Sequence, residues 1–336
     1  MKRFALLTLS IVLPMFIVGF QLRLADGQTR LKIGYSSLTG GSSPAWVAIE
    51  ERFFNKHGIQ AEAIYIPGST VEIAAVTAGE ISMGIGGATA AMQMRLAGQP
   101  TIVIANAVKK LTYYLIASPE IRTPQDLKKK RIGIDRRGNI TEYVAKLSLD
   151  AIGVDDREVT FTATGSQSSR FAALKQGYVQ ATVISPPLNL IARKLGFITM
   201  VNMLETDFEF PVSSLFTIES FLTNHEQTAA GAVKALSEAV AFFKSNETRG
   251  TEILRKYTRS EDTEALREMY KIYAKQALST NPRISKKSME AAVAQISEID
   301  PRAKGQDASF FYTNRIIDRL EKEGFFDEIR ARYRVE

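Results

Sequence analysis

Two spacings of apolar residues alternate through the first two thirds of the chain. Short apolar or aromatic stretches are typical of strands, and after most of them apolar residues recur every three to four positions, as in amphipathic helices. Strands are predicted at residues 31–35, 59–66, 81–85, 101–107, 113–117, 131–134, 159–162 and 181–184. Such close succession of strands and helices predicts an α/β protein with parallel strands joined by right-handed crossovers.

Helices are predicted to start at polar or glycine-containing turns. Ser43 is placed as the cap of a helix that begins with Pro44, and residues 123–126 combine a threonine cap, a first-turn proline and an acidic third position. From about residue 227 to residue 333 the chain is predicted to be nearly all helical, with caps at Ser260 and Ser285. Two α/β units followed by a helical extension predict two lobes and a helical buttress.

The N-terminal residues have the pattern of a secretory signal. Two basic residues precede an uncharged, apolar stretch at residues 4–20, and small residues alternate at Ala25 and Gly27. We expect residues 1–27 to be a signal peptide, cleaved after Gly27, and the mature chain to be periplasmic. The alternative is a retained anchor, although the apolar stretch is shorter than the roughly 20 residues that span a bilayer and contains Pro14.

Composition narrows the class of protein. The chain contains no cysteine, so a lipid anchor on a cysteine is excluded and stability rests on a hydrophobic core rather than on disulfides. The hydrophobic fraction of 45% suits globular packing, and the net charge of +7 attracts anions only weakly. The dense basic run at residues 128–131 is interpreted as a solvated helix end. We therefore expect no nucleic-acid partner.

Small polar turns at the carboxyl ends of the predicted strands form the candidate ligand site. In open parallel sheets ligands bind at these ends, where helix N-termini present free N–H groups and a partial positive charge. Five such turns occur, at residues 36–43, 68–70, 86–89, 136–141 and 185–187. The candidate ligand-binding residues are Ser37, Gly41, Ser42, Trp46, Ser69, Thr70, Gly87, Thr89, Arg136, Arg137, Asn139, Thr141 and Ser185.

Several of these candidates have a purely structural alternative. Ser43, Ser69 and Thr141 can serve as helix caps alone, since a hydroxyl at that position satisfies a free N–H group. The glycine pair at residues 86–87 can be no more than a tight turn. Trp46, the single tryptophan, can belong to the core instead of the ligand site.

Arg136 and Arg137 carry the sharpest chemical hypothesis. They follow a predicted strand and precede a predicted helix, where a guanidinium can bind a sulfonate, carboxylate or phosphate through two parallel hydrogen bonds. The pattern leaves open which of the two contacts a ligand and which is only solvated.

Catalytic motifs are poorly represented in the sequence. The chain has two histidines and lacks a metal-ligand cluster, a Gly-x-Ser-x-Gly elbow and a phosphate loop of the nucleotide-binding type. We therefore expect a protein that is not an enzyme and holds no cofactor or metal. Two alternatives stay open, an enzyme that acts on a small organic acid and a sensory ligand-binding protein that reports to a membrane partner.

Several segments together resemble one known family. They are IGY (33–35), AWVA (45–48), FFNKHGI (53–59), GST (68–70), AGEISMG (78–84), GGA (86–88), RFAALKQG (170–177) and ATVISPP (181–187). The chain is similar in these segments, over roughly residues 31–221, to the substrate-binding proteins of ABC importers for nitrate, taurine, aliphatic sulfonates and thiamine-precursor pyrimidines. A branch of thiamine-pyrimidine synthases shares the fold and uses a cysteine-rich segment, which this chain lacks.

The resemblance implies a two-lobed, type II periplasmic-binding-protein fold with a helical C-terminal extension. Residues 28–108 and 217–336 would form one lobe and residues 109–216 the other, joined by two crossing segments. The implied function is the capture of a small anionic or polar organic molecule, of the sulfonate, nitrate or taurine class, in the cleft between the lobes. The implied partners are this ligand and an ABC permease at the inner membrane, and the protein is expected to be a monomer.

Overall fold

Two five-stranded sheets form the framework of the protein, which a computed structural model describes over residues 29–336. The signal peptide predicted for residues 1–27 lies outside the described residues. Over this described range, no helix combines the length and the apolar character that a membrane span requires.

The first sheet contains β1 (Thr29–Tyr35), β2 (Ile59–Tyr65), β3 (Met83–Gly86), β4 (Thr101–Lys110) and β10 (Glu209–Ile218). Its order is β2-β1-β3-β10-β4, in which β1 runs parallel to β2 and β3, and β10 runs antiparallel to β3 and β4. The helices between its first four strands are α1 (Ser43–Glu50), α2 (Phe53–Lys56), α3 (Ser69–Thr77) and α4 (Ala88–Leu96).

The second sheet contains β5 (Tyr114–Ala117), β6 (Arg131–Ile134), β7 (Thr160–Ala163), β8 (Ala181–Ile184) and β9 (Ile198–Asn202). Its order is β7-β6-β8-β5-β9, with β6 parallel to β7 and β8, and β5 antiparallel to β8 and β9. Its helices are α5 (Ile140–Ala151), α6 (Gln167–Lys175) and α7 (Leu188–Lys194). Each sheet therefore carries its own strand–helix units.

Two segments cross between the sheets. β4 leads through residues 111–113 into β5, and β9 leads back through residues 203–208 into β10. β4 and β10 pair with each other, Ser213 lying opposite Val108, and register shifts interrupt the pairing on both sides of Ser213. The paired crossing strands bring both lobes together at one edge of the cleft.

The C-terminal residues form helices that cover the first sheet. They are α8 (Glu219–Asn224), α9 (Glu226–Ser245), α10 (Glu247–Thr258), α11 (Thr263–Ile272), a π-helical turn (Tyr273–Ala277), α12 (Lys286–Ser297), α13 (Arg315–Lys322) and α14 (Phe325–Tyr333). α9 packs against α1, α2 and α14, and α12 packs against β10. The extension therefore belongs to the lobe that the first sheet builds.

A buried carboxylate fastens the extension to that lobe. The Glu238 side chain of α9 is fully buried, and it contacts Lys56 at 2.5 Å, His57 at 3.1 Å, Arg332 at 2.9 Å and the Tyr333 hydroxyl at 2.9 Å. Burial by itself raises the pKa of Glu238, but the hydrogen bonds from His57, Lys56 and Tyr333 outweigh it and hold the pKa near 2. The charged form therefore holds the C-terminal end against α2.

The strand directions correct one expectation from the sequence. β5 runs antiparallel to its neighbours instead of parallel, and β10, which was not predicted as a strand, is antiparallel as well. The chain enters both strands from the other sheet through short segments without a crossover helix, and a parallel strand needs such a crossover. β9 was not predicted, and β10 pairs with the first sheet from Glu209 onward, so the expected lobe limit at residue 216 falls inside a first-sheet strand.

Helix starts agree with the sequence at some positions and differ at others. The capping box of Thr123 and Asp126 is present, although it begins only a short 3₁₀ helix (Pro124–Leu127). Ser285 caps α12 as expected, whereas α11 is capped by Asp262 and not by Ser260. Ser43 is the first residue of α1 rather than its cap, because a 3₁₀ turn at Gly40–Ser42 leads directly into the helix.

Candidate ligand-binding site

A cavity of about 150 Å³ lies between the two sheets. Loops that follow β1, β2 and β3 line it from one side, and loops that follow β6, β7 and β8 line it from the other. Tyr273, from the π-helical turn of the C-terminal extension, completes the lining. The cavity is therefore at the carboxyl ends of parallel strands, the position at which open α/β sheets bind ligands.

Two serines and a helix start form the wall of the first lobe. The Oγ atoms of Ser36 and Ser69 are 3.1 Å apart, and the Gly87 amide donates to the Ser69 oxygen at 2.9 Å. Gly87 is the residue before α4, so the hydroxyl of Ser69 satisfies the start of a neighbouring helix and makes no capping bond to α3. Both hydroxyls border the cavity.

A buried carboxyl lies behind these serines. The Glu72 side chain is fully buried, its Oε1 accepts from the Ile85 amide at 2.7 Å, and its Oε2 has no hydrogen-bond partner within the described residues. Burial raises the pKa of Glu72 to about 8, against the opposing effects of the nearby Ser36 hydroxyl and the Ile85 amide. The group is therefore neutral in most molecules at pH 7.

The glycine-rich loop after β1 is held by its own hydroxyl groups. The Ser37 hydroxyl is 3.0 Å from the Thr39 hydroxyl, and the Ser42 hydroxyl donates to the Ser37 carbonyl at 2.8 Å. From the crossing strand β10, Ser213 donates to the Gly41 carbonyl at 2.8 Å. These bonds fix the loop that forms one rim of the cavity.

Asp135, Asn139 and Thr141 form part of the wall of the second lobe. The Asn139 amide donates to Asp135 Oδ2 at 2.8 Å, and the Asp135 amide donates to the Thr141 hydroxyl at 2.9 Å. Asn139 is also the N-cap of α5, its side chain accepting from the Ile140 amide. The start of α5 therefore faces the cavity together with one carboxylate.

Arg170 brings a buried positive charge to the same wall. Its side chain is in α6, the residue is 4% exposed, and its Nε and Nη1 donate to the carbonyls of Val183 at 3.2 Å and Gly165 at 2.8 Å. Burial lowers the pKa of Arg170, and Tyr113 and Asp135 act in the opposite direction. A guanidinium keeps its proton at neutral pH even so. Within the described residues it forms no ion pair, so its charge is available to a ligand.

Gln167 ties two of the second-lobe loops together. Its Oε1 accepts from the Ser185 amide at 2.9 Å, and its Nε2 donates to the Ser185 carbonyl at 3.2 Å. These two hydrogen bonds fix the loop after β8 to the start of α6. It thereby sets the distance between Ser185 and Arg170 on the cavity wall.

Tyr273 connects the C-terminal extension to both lobes. Its hydroxyl donates to the Thr112 hydroxyl of the first crossing segment at 3.0 Å, and burial raises its pKa. The side chains of Thr39 and Ser185, one from each side of the cavity, also act on this phenol. A methyl group on Gly40 would collide with the Tyr273 ring, so the glycine is required by packing at this position.

Seven of the residues proposed from the sequence line the cavity. They come from all five predicted turns and from both lobes. They are Ser37, Gly41, Ser69, Gly87, Asn139, Thr141 and Ser185. Ser69 and Thr141 do not act as caps of their own helices. The Ser69 hydroxyl is hydrogen-bonded to Ser36 and to the Gly87 amide, and the Thr141 hydroxyl accepts from the Asp135 amide.

The other six proposed residues lie away from the lining. Trp46 is buried in the core, where it stacks on Tyr257 with ring centroids 5.0 Å apart, because α9 and α10 cover α1. The Ser42 hydroxyl is engaged with the Ser37 carbonyl. Thr70 and Thr89 are within the first turns of α3 and α4 and do not line the cavity.

Arg136 and Arg137 are exposed and outside the lining. Arg137 pairs with Glu142 of α5 at 2.5 Å and lies over the Phe161 ring, 5.4 Å from its centroid. These contacts turn its guanidinium along the surface of the lobe. The arginine that reaches the cavity is instead Arg170, one helix further along the chain.

Sequence reasoning missed three groups of this site. Arg170 was noted only within a segment that resembles a family, although it follows the polar turn at residues 164–169, which was a usable signal. Asp135 directly follows the predicted strand at residues 131–134 and begins the polar turn after it, so it could have been added to the candidate residues. For Tyr273 the sequence carries no local signal, because it lies in a long helical region far from every predicted turn.

The chemistry of the cavity is that of polar binding. Hydroxyls, backbone amides, one guanidinium and one carboxylate face it, and the phenol of Tyr113 is held neutral because burial raises its pKa to about 12. Over residues 29–336, no three His, Asp or Glu side chains are grouped so as to hold a metal ion. The arrangement suits a small molecule that carries oxygen acceptors.

Known proteins share both the sequence pattern and the fold. The family model described as NMT1/THI5 like matches residues 41–248. A protein from Brucella abortus (strain 2308) is 28% identical over 175 residues, which are 52% of this chain and 53% of that protein. Its name describes it provisionally as a binding protein. The chain thus spans about half the length of the curated relatives it matches.

Two solved structures illustrate the fold. The alkanesulfonate-binding protein SsuA from Xanthomonas axonopodis pv. citri, bound to MOPS, has a TM-score of 0.72 at 16% identity, covering 86% of this chain and 100% of that one. The periplasmic nitrate-binding protein NrtA from Synechocystis PCC 6803 has a TM-score of 0.66 at 12% identity, covering 90% and 88%. The likeness confirms the predicted periplasmic-binding-protein fold. Since the family model covers more than half of the sequence, the chain belongs to the NMT1/THI5-like family, as its motifs indicated.

Proposed function

We propose that the protein is the solute-binding component of an ABC importer and captures a small anionic or polar organic molecule between its lobes. The class that we favour is that of sulfonates, nitrate and taurine. The observation that carries the proposal is Arg170, a buried guanidinium on the cavity wall whose protein partners are two neutral carbonyls. A buried charge that forms no direct ion pair is costly, and an anionic ligand supplies the missing contact.

The two walls complement each other around such a ligand. The second lobe supplies the charge of Arg170, and the first lobe supplies the hydroxyls of Ser36 and Ser69 together with the amide groups near Gly87. Closure of the lobes about the crossing segments would bring both sets onto one molecule and exclude water. An ion pair gains strength when water is removed around it.

Asp135 refines the expected ligand. It lines the same wall and favours the charged form of Arg170, so the cavity offers a carboxylate acceptor as well as a guanidinium donor. A molecule that joins an anionic group to an ammonium or hydroxyl donor satisfies both groups. We therefore expect an amino- or hydroxy-sulfonate such as taurine to bind more tightly than nitrate.

The proposal includes the setting of the protein. We expect export by the leader at residues 1–27, a periplasmic location, a monomer, an inner-membrane ABC permease as partner and no chemical change of the ligand. The names of SsuA and NrtA, which describe binding proteins of the same fold, support this setting. The lobes expected from the sequence are residues 28–108 with 217–336, and residues 109–216. The pairing of β10 with the first sheet supports moving these limits to residues 29–110 with 209–336, and residues 111–208.

A ligand screen followed by calorimetry tests the proposal. Taurine, ethanesulfonate, nitrate, aromatic carboxylates and pyrimidines are compared by thermal shift, since a ligand at 100 times its Kd stabilises the folded state by about 2.7 kcal/mol. Mass spectrometry of the recovered ligand checks that it is unchanged. A screen in which no anionic compound shifts the melting temperature contradicts the anion-binding function, and turnover of a bound compound contradicts the binding-only function.

The Arg170→Gln variant tests the residue on which the proposal rests. It keeps a hydrogen-bonding side chain but removes the charge, and we expect the affinity for ethanesulfonate to fall roughly 10- to 100-fold, the loss of a charge-assisted hydrogen bond. Arg122→Gln, which changes an exposed arginine of the same lobe, is the matched control. Circular dichroism shows whether each variant is folded. Equal affinities of a folded Arg170→Gln variant and the wild type would contradict the role of Arg170.

A further inference from the structure

Glu72 is a buried carboxyl that touches the ligand site only through hydroxyl groups. Three oxygen atoms lie within 2.8 Å of the position that a Cβ atom on Gly86 would occupy. They are Oε2 of Glu72 and the Oγ atoms of Ser36 and Ser69. Gly86 therefore leaves the space in which these three oxygens meet. Ser36 and Ser69 border the cavity, whereas Glu72 is behind them.

The protons of this cluster can be counted. Gly87 donates its amide proton to Ser69, and Ile85 donates its amide proton to Oε1 of Glu72. Each serine has one hydroxyl proton, and Glu72 Oε2 has no hydrogen-bond partner among the described residues. The direction of the remaining bonds therefore depends on whether Oε2 carries a proton.

The two protonation states orient the hydroxyls in opposite directions. An ionised Glu72 requires a donor at Oε2, so Ser36 turns its proton to the carboxylate and Ser69 turns its proton to Ser36. A neutral Glu72 has a proton on Oε2 that Ser36, a member of the same oxygen cluster, can accept. Ser36 then donates to Ser69, 3.1 Å away, in preference to the Ile85 carbonyl at 3.4 Å. In that state the Ser69 oxygen accepts from both neighbours, and its own proton is directed to the cavity.

We propose that neutral Glu72 is a positioning residue that donates to Ser36 and thereby directs the Ser69 hydroxyl into the cleft as a donor to the ligand, so that capture depends on the proton of this carboxyl. The proposal rests on the ligand-binding function proposed above and deepens it. It adds a donor on the first lobe opposite the guanidinium of Arg170. An oxyanion between the lobes then receives hydrogen bonds from both sides.

Among residues 29–336, no charged side chain contributes to the pKa shift of Glu72. Glu72 lies beside Gly34 of β1 and beside Gly84 and Gly86 of β3, and the Ser36 hydroxyl acts on its pKa. The elements packed on α3 carry four other charged residues, none of which is directed at Glu72. Arg30 and Lys32 of β1 are exposed to solvent. Arg95 of α4 pairs with Glu219, and Glu209 of β10 accepts a hydrogen bond from Ser285. Tyr35 of β1 lies against Trp46 and Tyr65. Burial, which raises the pKa of Glu72 to about 8, therefore dominates its titration.

The pH dependence of ethanesulfonate binding tests the proposal, because a sulfonate stays ionised throughout. With a pKa of about 8, the neutral fraction of Glu72 falls about tenfold from pH 7 to pH 9, and the wild-type affinity should fall by the same factor. Calorimetry at pH 8 in two buffers of different protonation enthalpy should show proton uptake on binding. In Glu72→Gln, whose amide is a permanent donor to Ser36, the affinity should lose this pH dependence.

Matched variants separate positioning from a structural effect. Ser69→Ala should lower the affinity about tenfold and also remove the pH dependence, since the donor itself is lost. Glu80→Gln, which changes an exposed glutamate just after the same helix, should keep the wild-type profile. An affinity that is flat from pH 7 to pH 9 in the wild type, or a slope that persists in Glu72→Gln, overturns the proposal.

A ligand-free measurement distinguishes this proposal from the proposed function. A raised pKa in the folded state means that stability is complete below the unfolded pKa of about 4.5 and is lost as the pH rises to about 8. The unfolding free energy of the wild type relative to Glu72→Gln should therefore decrease between pH 5 and pH 8. If wild type and Glu72→Gln have the same dependence of stability on pH, Glu72 is not neutral in the folded protein. Failure of every anionic compound of the screen to bind at any pH, with this slope present, contradicts the anion-binding function instead.

Discussion

The phenol of Tyr273 donates to the hydroxyl of Thr112 at 3.0 Å, and the two residues are 161 positions apart in the chain. Thr112 is in the first crossing segment, and Tyr273 is in the C-terminal extension. The bond therefore ties the extension to the point where the two lobes meet. It also places an aromatic ring in the lining of the cavity between them.

Removal of this hydroxyl should weaken the connection. Tyr273→Phe leaves the ring in place but deletes the donor to Thr112, so we expect the free energy of unfolding to fall by about 1 kcal/mol, the usual net contribution of one hydrogen bond. Urea denaturation monitored by the fluorescence of the single tryptophan measures it. Tyr178→Phe, at a half-exposed tyrosine of the second lobe, is the control. Equal losses in both variants would show that the Thr112 bond contributes nothing of its own.

Two adjacent glycines should respond differently to alanine. A methyl group on Gly40 would overlap the Tyr273 ring, whereas the nearest atom to a methyl group on Gly41 is the Thr39 hydroxyl oxygen at 3.4 Å. Overpacking of a close-packed core costs about 1–3 kcal/mol, so Gly40→Ala should lower the unfolding free energy by that amount and Gly41→Ala by much less. Thermal and urea denaturation of the two variants compare them. A stable Gly40→Ala variant would mean that Tyr273 can move aside freely.

A second glycine pair tests the space behind the first-lobe wall. A methyl group on Gly86 would enter the position shared by the Glu72 carboxyl and the hydroxyls of Ser36 and Ser69, whereas one on Gly87 would meet no atom closer than 3.5 Å. We expect Gly86→Ala to destabilise the protein by about 1–3 kcal/mol and Gly87→Ala to have a small effect on stability. The measurement is again urea denaturation. Similar stabilities of the two variants would exclude a tightly packed oxygen cluster at this point.

The buried carboxylate of Glu238 predicts a pH-dependent stability of the opposite sign to that of Glu72. Its pKa near 2 lies below that of the unfolded chain, so its contribution is complete above pH 4.5 and is lost as the pH falls towards 2. Glu238→Gln should cost roughly 1–3 kcal/mol at pH 7 and progressively less at lower pH. Urea denaturation from pH 3 to pH 7 measures the difference, with the exposed Glu261→Gln as control. A difference that does not change with pH would assign the loss to packing.

Many of the strands, helices and helix caps could be predicted from the sequence, because they depend on residues that are close together in the chain. The two periodicities, the Thr123 capping box and the Ser285 cap follow from neighbouring residues, and the observed strands and helices fall close to the predicted ones. The polar turns after the strands were also readable, and seven of the residues proposed from them line the cavity.

Which side chains face the cavity was decided by packing at long range. Arg170 enters it and Arg137 does not, because Arg137 lies against Glu142 and Phe161 while α6 carries Arg170 between the loops after β7 and β8. The directions of β5 and β10 likewise depend on where the chain crosses between the sheets.

The sequence by itself therefore determined the periods of the elements, the α/β class that its motifs indicate and the turns from which the site is built. Only the tertiary structure decided that Tyr273 reaches the cavity from the far end of the chain and that Glu72 is buried behind two serines. The physical reason is that burial and charge depend on every element packed around a group. Residues distant in sequence supply those neighbours, and no local pattern records them.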